Sequence, residues 1–146
     1  VASHPRKTET YVSSAERRLP EEIGASCKLD YLFKFEYHVP YKDIGSENEI
    51  CGTLIGIVSD DFQMKLVKDE ISEIKWISES ELFSDIMKNP ETYCPWMLLA
   101  LYFLKESDKE MIQKHNLVLE KWMNHKQELE KSLKYHFPTN NWRLLR

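Results

Sequence analysis

The sequence predicts an α/β domain: a mixed sheet sandwiched by helices, with a long helical extension at the C-terminus. Three observations predict it. Runs of aromatic and β-branched residues at 29–39, 49–59 and 73–77 read as strands bounded by turn signals. Charged helical stretches, at about 8–23 and from Ser78 to about Lys88, flank those strands. From Lys105 to about Tyr135, bulky side chains recur at Ile112, His115, Leu119, Trp122, Leu129 and Leu133, which is helical spacing. The expected division is a domain at 1–104 and a helical extension at 105–146 packed on it.

The first helix is expected from Thr8 to Ile23, with Gly24 as its stop. Pro20 removes a backbone donor and predicts a kink or a tightened last turn there. In Leu29 to Val39, Tyr31, Phe33, Phe35, Tyr37 and Val39 share one face, so the strand has an aromatic side. Pro40 ends it. Glu49 to Ser59 is apolar on both faces around Leu54 to Val58, which places it centrally in the sheet. Gln63 to Val67 reads as a short edge strand, and Glu73 to Ile77 as another strand. Ser78 and Glu81 form a capping box for the next helix. Pro95 starts a helix with the apolar run Trp96 to Leu104. His136 to Arg146 reads as short and irregular, with an exposed tryptophan.

The 146 residues, 42% hydrophobic, suffice for one domain with a core. A net charge of -4 excludes a general polyanion binder, so no nucleic-acid partner is expected. Cys27, Cys51 and Cys94 are odd in number and show no CxxC spacing, which fits reduced thiols in a cytoplasmic protein. No apolar run reaches the length of a membrane span. The chain begins inside a motif, so a segment preceding Val1 is expected in the native protein or its relatives.

The first helix concentrates chemistry. Arg17 and Glu21, and Arg18 and Glu22, are four residues apart and share a face. Carboxylates suit a hard divalent cation, and arginines suit phosphate oxygens. A salt-bridged surface helix would show the same pairs. In Ser46 to Cys51, Glu47 and Glu49 alternate onto one side of a strand. Two facing carboxylates are costly unless a cation or a proton neutralises one. A solvated strand end is the plainer alternative. With His4, they suit Mg²⁺, Mn²⁺ or Zn²⁺, and the residues alone do not choose.

Ser3, Glu9, Arg17, Leu19, Glu21, Glu22, Gly24 and Ala25 follow the spacing of a Nudix box, with Ser3 at the first glycine and Arg18 where hydrolases usually carry glutamate. Over residues 1–104 the chain resembles type I isopentenyl-diphosphate isomerase, a branch of the Nudix superfamily. The matching pieces are SHP (Ser3–Pro5), RRL (Arg17–Leu19), EEIG (Glu21–Gly24), FEY (Phe35–Tyr37), ENEIC (Glu47–Cys51), EIKWIS (Glu73–Ser78) and PW (Pro95–Trp96).

The resemblance implies a Nudix-type sandwich and conversion of isopentenyl to dimethylallyl diphosphate. It implies that His4, Glu47 and Glu49 ligate a metal, with further histidines supplied by a segment preceding Val1. Glu22 would hold a second Mg²⁺ against the diphosphate, which Arg18, with Arg17 beside it, would contact. Glu49 would be an acid/base group with Tyr37 beside it. Trp96 would face the carbocation-like intermediate. The family's other acid/base group is a cysteine two residues before the histidine. Here that residue is Ala2, so the expectation is weak turnover. A Nudix hydrolase and a non-catalytic diphosphate-binding or interaction module are the competing readings. The partner would be a small prenyl diphosphate, and the chain a monomer or a homodimer through its C-terminal helix.

Overall fold

The computed structural model describes residues 1–41, 43–107, 109–115, 122 and 124–145. In order these form α1 (Tyr11–Ile23), β1 (Asp30–Tyr41), β2 (Gly45–Ile55), α2 (Glu79–Lys88), α3 (Pro95–Phe103), α4 (Lys109–Lys114), α5 (Lys126–His136) and β3 (Trp142–Leu145). Leu119 of the expected helical stripe lies outside the described residues. No described helix is long and apolar enough to cross a membrane. The strands make one three-stranded sheet in the order β2-β1-β3. The chain divides into two compact units, Val1–Leu32 with Gly52–Trp76, and Phe33–Cys51 with Ile77–Arg146.

In the first unit α1 starts three residues later than expected. The Thr10 side chain accepts from the Ser13 amide at 3.1 Å, and the Ser13 hydroxyl accepts from the Thr10 amide at 2.9 Å, so Thr10 is the cap. The helix stays α-helical through Pro20 to Ile23, so of the kink or tightened last turn expected there the tightened turn does not form. Its end is held by the following chain. Gly24 takes φ 62°, and the amides of Lys65 and Val67 donate to the carbonyls of Ile23 and Glu22. A Cβ on Gly24 would lie 2.3 Å from the Lys65 carbonyl oxygen, so only glycine fits. Gly52 on β2 does similar work, because a Cβ there would meet the Tyr11 ring at 2.7 Å.

The second unit holds most of the core. Phe33, Phe35, Tyr37 and Val39 are buried on one face of β1, as the alternation predicts. Leu98, Leu99, Tyr102 and Phe103 of α3 and Leu129 and Leu133 of α5 are buried in the same unit. Phe33 and Phe35 of β1 meet Phe103 at 6.3 and 5.6 Å between ring centroids, the first edge-on and the second tilted. Such a side chain, fully buried, contributes about 1.5–3 kcal/mol. The Ser78–Glu81 capping box of α2 forms as expected.

Five strand expectations are corrected. β2 runs 45–55 rather than 49–59, since pairing begins directly after the turn that returns the chain from β1. Among the described residues it neighbours β1 alone, and β1 takes the central place. The reason is β3, which pairs antiparallel with β1, Phe35 opposite Leu144 and Tyr37 opposite Trp142. The expected irregular tail supplies this strand because Trp142 packs on Tyr102 and Phe103, at 5.0 and 5.5 Å between centroids. Residues 63–67 and 73–77 form no strand. Their side-chain pattern suits a strand, but among the described residues no ladder receives them, and Trp76 stays 70% exposed.

Candidate active site

In the second unit the strand alternation brings chemistry together. Glu47, Glu49 and Cys51 are half-buried on one face of β2, while Asn48 and Ile50 are exposed on the other. Tyr37, 2% exposed on β1, points its hydroxyl at both carboxylates. It lies 3.2 Å from Glu47 Oε2 and 3.1 Å from Glu49 Oε2. A phenol has one proton, so two carboxylates converge on a single donor. Burial pushes the Tyr37 phenol far above its ordinary range, with Glu49 and Glu47 adding to the effect. It therefore stays a neutral donor.

Trp96 is placed by the helix start. Pro95 suits the first turn of α3, where a missing amide costs nothing, and the next residue projects beside Tyr37. The two rings lie 6.5 Å apart between centroids, tilted by 33°. Cys94 precedes them as the cap residue of α3. Burial pushes the Cys51 thiol up to about 11, helped by Glu49 and by Cys94. Burial likewise raises Cys94. Both are thiols at neutral pH, and neither is a ready base. Sequence reasoning did not place Cys94 near Cys51 and Glu47. Its position directly before Pro95-Trp96 was the available signal.

In the first unit Arg17 and Arg18 are tied to carboxylates. Arg17 grips Glu9 through Nε at 2.6 Å and Nη2 at 3.0 Å, and reaches Glu21 through Nη1 at 3.1 Å. Arg18 donates from Nε to Glu22 Oε1 at 2.9 Å, from Nη1 to Glu21 at 2.9 Å and from Nη2 to Glu70 at 3.1 Å. Glu22 is buried at 6% exposure. The hydrogen bond from Arg17, with that from the Arg6 amide, holds the Glu9 carboxyl down at about 2. The i,i+4 spacings of the sequence are thus realised as an ion-pair network on one helix.

The donors available to a metal are consistent in kind with a hard divalent cation. Glu47 and Glu49 present oxygen, and they share a hydroxyl that can satisfy only one of them at a time. Two carboxylates are part of a coordination shell. Among the described residues no group of three or more His, Cys, Asp or Glu is arranged to hold a metal ion. His4 lies exposed in the stretch before α1, in the first unit with Glu22.

Over 99 residues the chain is 36% identical to isopentenyl-diphosphate Delta-isomerase 2 of Aromatoleum aromaticum, covering 68% of this chain and 51% of that protein. It is 32% identical over 104 residues to isopentenyl-diphosphate Delta-isomerase of Ruegeria pomeroyi, covering 68% and 56%. A match to the enzyme of the same name from Halobacterium salinarum is 30% identical over 121 residues, covering 77% and 54%. The chain belongs to the isopentenyl-diphosphate isomerase family. It spans about half the length of the curated relatives it matches. No family model matches it. Within this isomerase-family chain, Tyr37, Glu47, Glu49 and Trp96 are gathered in the second unit, and Arg17, Arg18 and Glu22 in the first.

Proposed function

We propose that this chain carries the chemistry of an isopentenyl-diphosphate isomerase, interconverting isopentenyl and dimethylallyl diphosphate. The observation that supports it is the Tyr37 phenol directed at Glu47 and Glu49 beside the Trp96 ring. Isomerisation adds a proton to the terminal alkene carbon and removes one from the carbon nearer the diphosphate. Glu49 is the group proposed to hold the proton on one face of the substrate. Tyr37 orients it by hydrogen bonding. The Trp96 π face is proposed to stabilise positive charge on the tertiary carbon. Arg18, with Arg17 behind it, is proposed to take the diphosphate oxygens.

A divalent cation would be held by Glu47 and Glu49, with His4 proposed as a further ligand, and Glu22 is proposed to hold a second Mg²⁺ against the diphosphate. Mg²⁺ is the first choice, with Mn²⁺ or Zn²⁺ as the others. When bound, it supplies positive charge to the carboxylates and to phosphate oxygens. Each ligand is tested singly by titrating metal into the His4→Ala, Glu22→Gln, Glu47→Gln and Glu49→Gln variants. The reading includes a cytoplasmic location, checked by fractionation. It also includes a monomer or a homodimer through the C-terminal helix, checked by sedimentation.

The opposite face of the substrate needs a second proton carrier, and the methyl group of Ala2 cannot serve. The expected activity of this chain is therefore weak. Incubation with isopentenyl diphosphate and Mg²⁺, with product analysis, tests it. Ala2→Cys should raise turnover by about 10²–10⁴-fold, the usual worth of a general acid or base. A folded, diphosphate-binding Ala2→Cys chain with no isomerisation would overturn the proposal. Phosphate release in its place would identify a hydrolase.

A further inference from the structure

Arg18 is surrounded by three carboxylates, and they are not equivalent. Glu22 is buried at 8% side-chain exposure and meets both Nε and Nη2, at 2.9 and 2.8 Å. Glu21 sits one turn along the same helix and is shared with Arg17. Glu70 comes from a loop 52 residues later in sequence, touches Nη2 alone at 3.1 Å, and is 47% exposed. Its loop is anchored on the end of α1 by the Lys65 and Val67 amides. The amides of Glu70 and Ile71 both donate to the Val67 carbonyl, so the turn that presents Glu70 is itself ordered.

We infer that Glu70 is a stand-in anion on Arg18, displaced when the substrate's diphosphate arrives, and so a residue that sets diphosphate affinity. This rests on the reading above in which Arg18 takes the diphosphate. A carboxylate oxygen and a phosphate oxygen are interchangeable acceptors for a guanidinium. Of the three carboxylates, Glu70 is the cheapest to move. An exposed, single-contact pair is worth little, whereas uncovering the buried Glu22 would strand a charge. Glu70 keeps the Arg18 side chain extended and ordered in the free protein, and competes weakly for it. It is a positioning residue, with no part in proton transfer.

The test is calorimetric titration of inorganic diphosphate with Mg²⁺ into this chain and into Glu70→Gln, Asp69→Asn and Arg18→Ala. Asp69→Asn removes the same charge from the neighbouring residue and controls for net charge. Removing the competitor should tighten binding in Glu70→Gln by about 3–5-fold relative to Asp69→Asn, the scale of an exposed ion pair. A purely structural role would lower the melting temperature of Glu70→Gln and leave affinity where it was. Binding that is weakened by Arg18→Ala but equal in Glu70→Gln and Asp69→Asn overturns the role of Glu70 and leaves the Arg18 reading standing. Binding unchanged in Arg18→Ala, or absent from all four chains, overturns both.

Discussion

The Tyr37 hydroxyl, carried by the central strand, lies 3.1 Å from Glu49 Oε2 on its neighbour. The same hydroxyl is 3.2 Å from Glu47 Oε2. Removing it leaves two carboxylates facing without their shared donor. Tyr37→Phe keeps the buried ring and its packing on Phe35 and Phe137. A hydrogen bond to a charged acceptor contributes about 1.5–3 kcal/mol, and the relief of burying a hydroxyl offsets part of that. The expected loss is about 1–2 kcal/mol in urea unfolding. Isomerase turnover should fall by at least about 10-fold, the scale of one lost hydrogen bond to a charged group. Full turnover in a stable Tyr37→Phe chain would remove Tyr37 from the site.

The Glu9–Arg17 pair makes an acid-stability prediction. Glu9 falls from its ordinary 4.5 to about 2 in the folded chain. Its folded value is depressed, so its contribution is present above the unfolded value and disappears as pH drops through the folded one. The window is therefore about pH 4.5 down to about 2. Glu9→Gln should flatten the acid-unfolding curve in that window and leave it unchanged at pH 7 relative to its own plateau. An identical slope in both chains would show that the pair does not form in solution.

Cys51 should be slow to alkylate. With its thiol pushed up to about 11 by burial, Glu49 and Cys94, little thiolate exists at pH 8. The iodoacetamide rate at Cys51, followed by peptide mass spectrometry, should still be rising at pH 10. A plateau reached by pH 9 would contradict the buried setting. Glu49→Gln should bring the rise to lower pH by removing one of the charges that oppose ionisation.

Trp142 separates packing from hydrogen bonding. Its ring packs on Tyr102 and Phe103, and its Nε1 is buried with no hydrogen-bond partner among the described residues. Trp142→Ala should cost about 3–5 kcal/mol, as for other aromatic truncations in a core. Trp142→Phe gives up some area but also removes an unsatisfied donor, which itself costs about 1–3 kcal/mol. The net change should stay within about 1 kcal/mol. A large loss in Trp142→Phe would mean that Nε1 is paired in solution.

Much of the site was legible before any coordinates. Glu47 and Glu49 were read onto one strand face because a strand alternates by two, and the carboxylates and arginines of α1 were read onto shared faces because they recur by four. Those are local rules, obeyed by a few residues of backbone. Tyr37 came into the site only through the resemblance, and the structure gives it a physical role as the donor both carboxylates share.

The sequence by itself determined the α/β class, the Gly24 stop of α1, the Ser78–Glu81 cap of α2, the aromatic face of β1, and the family. Local hydrogen bonding and side-chain periodicity act within a turn or two, so they leave marks that one chain displays. Tertiary structure decided which strand lies in the middle, which residue pairs with Arg18 from 52 positions away, and that the chain end forms β3. It also left 73–77 out of the sheet despite a pattern suited to it. Strand pairing is a contract between distant segments. An alternating run states only that it can join a sheet, and the partner that buries its apolar face, here the Tyr102–Phe103 surface under Trp142, decides whether it does.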